Sequence, residues 1–188
     1  MLKISRRLML GGLVCCCAFS NADEPYRSKE DSAIHVPTPR DVVDRMLALA
    51  RVTKQDMLVD LGCGDGRVVV AAAKRYGCHA EGFEIDARKV AESRENVKTA
   101  GTEKLVRITQ KDIFDVDLRK ATVVTLYLLP EMNEKLIPQL RQMPDNARIV
   151  CHDFPIEGIK VTQTESMKSV DDGGPHTIYL YRLPLQDK

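Results

Sequence analysis

Residues 57–67 read Met57-Leu58-Val59-Asp60-Leu61-Gly62-Cys63-Gly64-Asp65-Gly66-Arg67. A short, mostly apolar run ends in three glycines at alternate positions, and a stretch rich in valine and alanine, Arg67–Tyr76, follows directly. A short apolar run before a glycine cluster reads as a buried strand and a sharp turn, and the valine- and alanine-rich stretch reads as a helix. Glycine lets the backbone turn where a side chain is strained and lets a ligand approach the main chain closely. The start of the helix then offers unpaired N–H groups to an anion. Strand, glycine turn and helix in this order predict the first unit of an α/β sheet that binds a small molecule.

The alternation continues outward from this unit. A second strand fits 80–84, with Asp86 capping a helix over 87–100. Strands fit 106–109, 123–128 and 148–151, and a helix containing Pro138 fits 133–142. Upstream, Thr38 reads as a helix cap, with Pro39 in the first turn, Asp41 at the capping-box position, and Val42, Val43, Met46, Leu47 and Leu49 on one face. Strands separated by helices pair in parallel through right-handed crossovers, which predicts an open, mostly parallel sheet with helices on both faces. The ending departs from this rhythm. Segments 159–164 and 177–183 read as two strands joined by a loop containing Asp172-Gly173-Gly174-Pro175, with no helix between them, so they are expected to pair antiparallel at one edge.

Length and composition bound the rest. The 188 residues suit one domain, and 44% hydrophobic with 29% charged residues is enough apolar content for a core, which excludes a disordered chain. Lys3, Arg6 and Arg7 precede an apolar run over 8–19, shorter than the ~18 residues of a membrane span, with Ser20, Asn21 and Ala22 behind it. Residues 1–22 are therefore expected to be an export signal or a membrane anchor, 23–35 a polar linker and 36–188 the folded domain. Ser5-Arg6-Arg7 resembles a twin-arginine address, so the chain is expected to be periplasmic or held at the outer face of the cytoplasmic membrane. Without those three cations, 27 acidic residues face the remaining 25 basic ones. No basic excess points to nucleic acid as a partner. Cys15, Cys16 and Cys17 fall in the apolar run. Cys63, Cys78 and Cys151 remain, an odd number without C-x-x-C spacing, so neither a disulfide framework nor a metal site is expected, although one pair could form.

Ligands of an open parallel sheet bind beyond the carboxyl ends of its strands. Asp60 stands there beside the turn Gly62-Cys63-Gly64-Asp65-Gly66. Glu84 ends the second strand 22 residues after the first glycine, close to the ~20-residue spacing of an acid that grips ribose hydroxyls. Asp112, with Ile113 and Phe114, follows the third strand, where a carboxylate can accept from an adenine amino group and apolar side chains can pack on its ring. Each of these has a plain alternative as turn, strand end or cap; their order along the chain favours nucleotide-type binding. Arg67 occupies the place of the third glycine in the dinucleotide fingerprint, and neither a P-loop nor a nucleophile elbow is present.

With these residues in view, Val59 to Arg67 resembles motif I of the class I S-adenosylmethionine (SAM)-dependent methyltransferases. Val36-Pro37-Thr38-Pro39, Glu84-Ile85-Asp86, Thr125-Leu126-Tyr127-Leu128-Leu129-Pro130-Glu131 and His152-Asp153-Phe154 further resemble the archaeal protein-lysine methyltransferases and the mitochondrial family that methylates a lysine of the ATP synthase c subunit. The resemblance implies a Rossmann-like seven-stranded sheet with an antiparallel last strand, and SAM as cofactor. It sets Asp60, Gly62, Gly64, Asp65 and Gly66 at the methionine part, Glu84 at the ribose, and Asp112 with Ile113 at the adenine. Leu129 and Pro130 then line the acceptor pocket, and the partner is a protein bearing a lysine. The chain lacks the [DN]-P-P-[YFW] sequence of many amide and adenine N-methyltransferases. Tyr127 is expected to hydrogen-bond the incoming amine, and His152 or Asp153 to help remove its proton. A small-molecule methyltransferase and a non-catalytic SAM-binding protein are the alternatives.

Overall fold

The strand before the glycine turn, Met57–Leu61 (β1), lies in the middle of a seven-stranded sheet. The structure is a computed structural model that describes residues 36–188; the expected export segment 1–22 and linker 23–35 lie outside the described residues. The elements run α1 Arg40–Leu49, β1, α2 Arg67–Tyr76, β2 His79–Glu84, α3 Ala87–Thr99, β3 Val106–Gln110, a short 3-10 turn Ile113–Asp115, β4 Val123–Leu126, α4 Pro130–Leu140, β5 Arg148–His152, β6 Gln163–Lys168 and β7 Pro175–Arg182. Strand order is β3-β2-β1-β4-β5-β7-β6. β1 to β5 are parallel, β7 runs antiparallel to β5, and β6 antiparallel to β7. The order reverses between β1 and β4, so the crevice beyond their carboxyl ends is the switch point where such sheets take ligands.

Alternation along the strands feeds two cores, one on each face of the sheet. Leu58, Val123 and Val150 meet Met46 and Leu47 of α1, Val69 and Ala72 of α2 and Val90 of α3. Val59, Val124 and Ile149 meet Leu136 and Leu140 of α4, together with Leu118 and Ile156 from the connecting segments. Neighbouring positions of a central strand are thus both buried, as in a parallel sheet covered on two sides. Among the described residues no helix is long and apolar enough to cross a membrane.

Several local expectations are corrected. Thr38 does not cap α1; Pro39 takes that position, and the Thr38 hydroxyl meets His152 Nδ1 at 3.1 Å. The first amides of α1 are instead capped from a distant loop: Arg40 and Asp41 N–H donate to Asp171 Oδ2, 131 positions away from Arg40. Asp41 returns the contact by accepting from Ser169 Oγ at 2.8 Å and Val170 N–H at 2.7 Å. β4 stops at Leu126, two residues before the expected end, because α4 begins at Pro130, where a missing N–H costs nothing. The strand expected at 159–164 lies at Gln163–Lys168. Ile159 and Val161 are apolar because they pack on the second core, whereas the real edge strand is mostly exposed and polar.

Candidate functional site

The glycine turn is pinned to the end of β2. Gly62 and Cys63 N–H both donate to the Phe83 carbonyl, at 2.9 and 3.0 Å, and Gly66 N–H closes the turn on the Cys63 carbonyl at 2.8 Å. Two of the glycines are required by space as well as by conformation. At Gly62, with φ of +78°, a Cβ would lie 3.0 Å from Leu128 Cδ2, and at Gly66, with φ of +79°, 3.1 Å from Ser93 Cβ. A side chain at either place would be strained and would crowd Leu128 or Ser93. Cys63 turns inward onto Gly82, where its Sγ stands 2.7 Å from the place a Cβ would occupy. Burial pushes its thiol well above the ordinary range, which makes it packing rather than a nucleophile. Cys63, Cys78 and Cys151 are all buried free thiols.

Four acids, Asp60, Asp65, Glu84 and Asp112, lie at this end of the sheet. Glu84 is buried; its Oε2 accepts from Gly64 N–H at 3.0 Å, and its Oε1 accepts from Ile85 and Asp86 N–H at 2.8 and 3.0 Å. Asp60 is also buried and accepts from Thr125 Oγ1 on the adjacent strand at 2.6 Å. Burial, reinforced by the nearby Asp65 and Glu84 charges, pushes its carboxyl up to about 7. Asp112 is exposed and caps the 3-10 turn through Phe114 N–H at 3.0 Å, while Ile113 is buried against the second core. Asp65 forks onto Arg67, with a shortest contact of 2.7 Å. Ile85, immediately after Glu84, is 65% exposed. An apolar residue held out at the crevice is a surface for a flat ring, and no periodicity marks it because the strand has ended.

Arg67 links this half of the site to the other. Its Nη1 donates to the Thr38 carbonyl at 2.8 Å, and the Thr38 hydroxyl meets the ring of His152 at the end of β5. The half-buried Tyr127 lies against His152 with ring centroids 4.0 Å apart, and stacks towards Phe154 at 6.2 Å. Burial, with Asp153 and Asp172 nearby, raises its phenol above the usual 10. Asn133 of α4 is fully buried and donates to the Phe154 carbonyl at 3.1 Å, which ties α4 to the segment after β5. Leu129 is half exposed at the lip.

His152 is fully buried, with Nδ1 on Thr38 and Nε2 on His176 Nδ1 at 2.9 Å. Burial holds its pKa below the usual imidazole value, which favours the neutral ring. His176 and Asp172 were missed by sequence reasoning. They stand in the final hairpin and come to the site only because β7 inserts beside β5.

The ANTKMT methyltransferase domain family matches residues 60–163, from Asp60 of β1 to the start of β6. The chain belongs to this family. A protein-lysine N-methyltransferase of Saccharolobus islandicus (strain REY15A) is 40% identical over 149 residues, 78% of this chain and 91% of the relative. The lysine N-methyltransferase of the ATP synthase c subunit from Homo sapiens is 31% identical over 121 residues, 64% of this chain but only 51% of the human protein. Among solved structures, an RNA methyltransferase from Salinibacter ruber in complex with S-adenosyl-L-homocysteine is 44% identical, with a TM-score of 0.75, covering 79% of this chain and 94% of that one. These relatives bear out the expected fold and the methyltransferase family.

Proposed function

We propose that this ANTKMT-family methyltransferase transfers a methyl group from SAM to the ε-amino nitrogen of a protein lysine. The observation that carries this reading is the meeting, at one switch point, of a backbone turn kept free of side chains at Gly62 and Gly66 with Tyr127, Leu129 and Pro130, which follow the end of β4 on the neighbouring strand. The donor set fits SAM. Glycine-turn amides suit a carboxylate, Asp60 suits an ammonium group, Glu84 suits two ribose hydroxyls, and Asp112 with the exposed Ile85 suits adenine and its amino group. Ile113 is assigned to the floor beneath that ring. SAM, when bound, supplies a methyl group already activated on a sulfonium, so no metal is needed for the transfer.

The work left to the chain is alignment, exclusion of water and control of one proton. A lysine ammonium has an ordinary pKa of about 10.4, and only its neutral form has a lone pair. A dry cleft lowers that value by penalising charge. Tyr127 supplies a hydroxyl to orient the amine. His152 has both ring nitrogens engaged inside the protein, so the expectation that it takes the proton directly gives way to a positioning role, with its ring face against Tyr127. Once the lysine ammonium has lost a proton to solvent, its lone pair would form the N–C bond as the methyl–sulfur bond breaks, and the cofactor would leave as S-adenosylhomocysteine.

The Salinibacter protein's description as an RNA methyltransferase raises a second acceptor class. The charge balance of this chain weighs against it, because RNA binding draws on an excess of Lys and Arg. Purified full-length protein incubated with methyl-labelled SAM and a cell extract tests both, by partition of label among protein, RNA and small molecules. Label in protein supports the reading. Label confined to RNA or to metabolites overturns it.

A further inference from the structure

The end of β5 and the start of β7 bring together the polar atoms of three side chains, and these atoms have no part in the transfer described above, in which His152 acts through its ring face. His152 Nε2, His176 Nδ1 and Asp153 Oδ2 face one another at 2.9, 3.1 and 3.2 Å. Among the described residues this is the one group of three whose ligand atoms all lie within 4.8 Å of one another. We propose that these three atoms bind a divalent first-row transition ion, with zinc as the representative.

Each of the three residues is oriented through its other polar atom. Asp172 Oδ2 lies 3.1 Å from His176 Nε2 and can accept its proton, so that a neutral His176 bound to an ion keeps Nε2–H on Asp172 and turns its Nδ1 lone pair to the cluster; without an ion Nδ1 lies as close to Asp153 Oδ2. The Thr38 hydroxyl engages His152 Nδ1 at 3.1 Å, which leaves Nε2 to face the cluster. Asp153 Oδ1 accepts from Thr177 N–H at 2.8 Å, so Oδ2 is the oxygen turned inward. Three potential ligand atoms converge, each oriented from behind by a separate hydrogen bond, the arrangement by which proteins fix metal-ligating imidazoles and carboxylates, and an ion would take the place of the protons they share. For bonds of about 2.0–2.1 Å, separations of 2.9 to 3.2 Å correspond to angles of roughly 90–105° at an ion. Two histidines and one carboxylate at such angles form a tripod that leaves the remaining positions to water.

Two further observations point the same way. Asp153 has φ of +56°, a conformation uncommon outside glycine, and this turn is what brings its carboxylate back over the two rings. The cluster is also reachable, since the side chain of His176 is 10% exposed and Asp172 borders a hollow lined by Val36, Pro37, Pro39, Arg40 and Arg67. An ion there ties β5 to β7 and, through Thr38, to the segment before α1. It stiffens the ring on which Tyr127 rests, and it is independent of which acceptor is methylated.

The test uses full-length protein stripped with chelator, dialysed against zinc and assayed for bound metal and thermal midpoint. The site predicts about one zinc per chain and a higher midpoint with zinc than with chelator. It also predicts at least a tenfold loss of affinity in His176→Gln and in Asp153→Asn, and no change in His79→Gln, an exposed histidine elsewhere. Asparagine tolerates positive φ, so Asp153→Asn keeps the test decisive if His176→Gln fails to fold. Cobalt in place of zinc must give ligand-field bands without a sulfur charge-transfer band. Less than a tenth of an equivalent of zinc in the wild type, undiminished binding in the two cluster variants, or a cobalt–sulfur band from the cysteines overturns the proposal.

Discussion

Glu84→Ala separates the two tasks assigned to one carboxylate. In the structure Glu84 accepts three backbone N–H groups, and only that of Gly64 is in fully buried surroundings; those of Ile85 and Asp86 are partly open to water. Alanine therefore leaves one buried donor without a partner, a loss of about 1–3 kcal/mol. Against a total stability of about 5–15 kcal/mol the variant stays folded with a lower thermal midpoint. Binding suffers separately. A carboxylate gripping two ribose hydroxyls contributes charge-assisted hydrogen bonds, and their removal costs about 2–3 kcal/mol, or roughly 30- to 150-fold in Kd. Glu84→Gln keeps one acceptor and loses the charge, so it should fall between. Calorimetric titration with SAM measures the affinity and circular dichroism the midpoint. A folded Glu84→Ala chain that binds SAM as tightly as the wild type removes Glu84 from the ribose. A chain unfolded at room temperature refutes the reasoning that only one buried amide loses its partner.

Asp60 should impose a stability gradient with pH. Its folded pKa of about 7 lies above the unfolded value of 3.8, so between those values the folded chain holds a proton that the unfolded chain has released. Its contribution is full below pH 4 and is lost as pH rises towards 7, by up to about 4 kcal/mol. Asp60→Asn should become progressively more stable relative to the wild type across that window, and parallel melting curves would refute this. Tyr127→Phe should lower turnover about tenfold or more while leaving SAM affinity within twofold, and activity should rise with pH as the acceptor amine deprotonates; an equal loss in both parameters would place the hydroxyl at the cofactor. Arg6→Lys with Arg7→Lys should hold precursor inside the cell, measured by fractionation, if export uses the twin-arginine route; export that persists and stops only when the Sec route is blocked rules it out.

The sheet was legible because its signals are local. Met57–Leu61 and the glycine turn declare themselves within eleven residues, and Asp86 caps α3 as its position suggests, through Arg88 N–H. What the sequence hid was carried by long-range pairing. Thr38 looks like a cap by spacing, yet Asp171 performs that work from the final hairpin loop. β6 exposes most of its residues, so apolar content drew the expected strand towards Ile159 and Val161, which are buried for packing. His176 has no neighbour in sequence that marks it; only the insertion of β7 beside β5 brings it to His152. The acids at the strand ends were found by spacing, whereas the engagement of Glu84 by the Gly64 amide depends on the folded turn.

The atom that receives the methyl group decides between the protein-lysine reading and its rivals. Proteins labelled by the purified enzyme and SAM, digested and sequenced by tandem mass spectrometry, should carry mono-, di- or trimethyl groups on lysine Nζ, absent from reactions with the Glu84→Ala chain at limiting SAM. Methyl groups found on other side chains, or on nucleotides and metabolites with protein lysines unmodified, would contradict it.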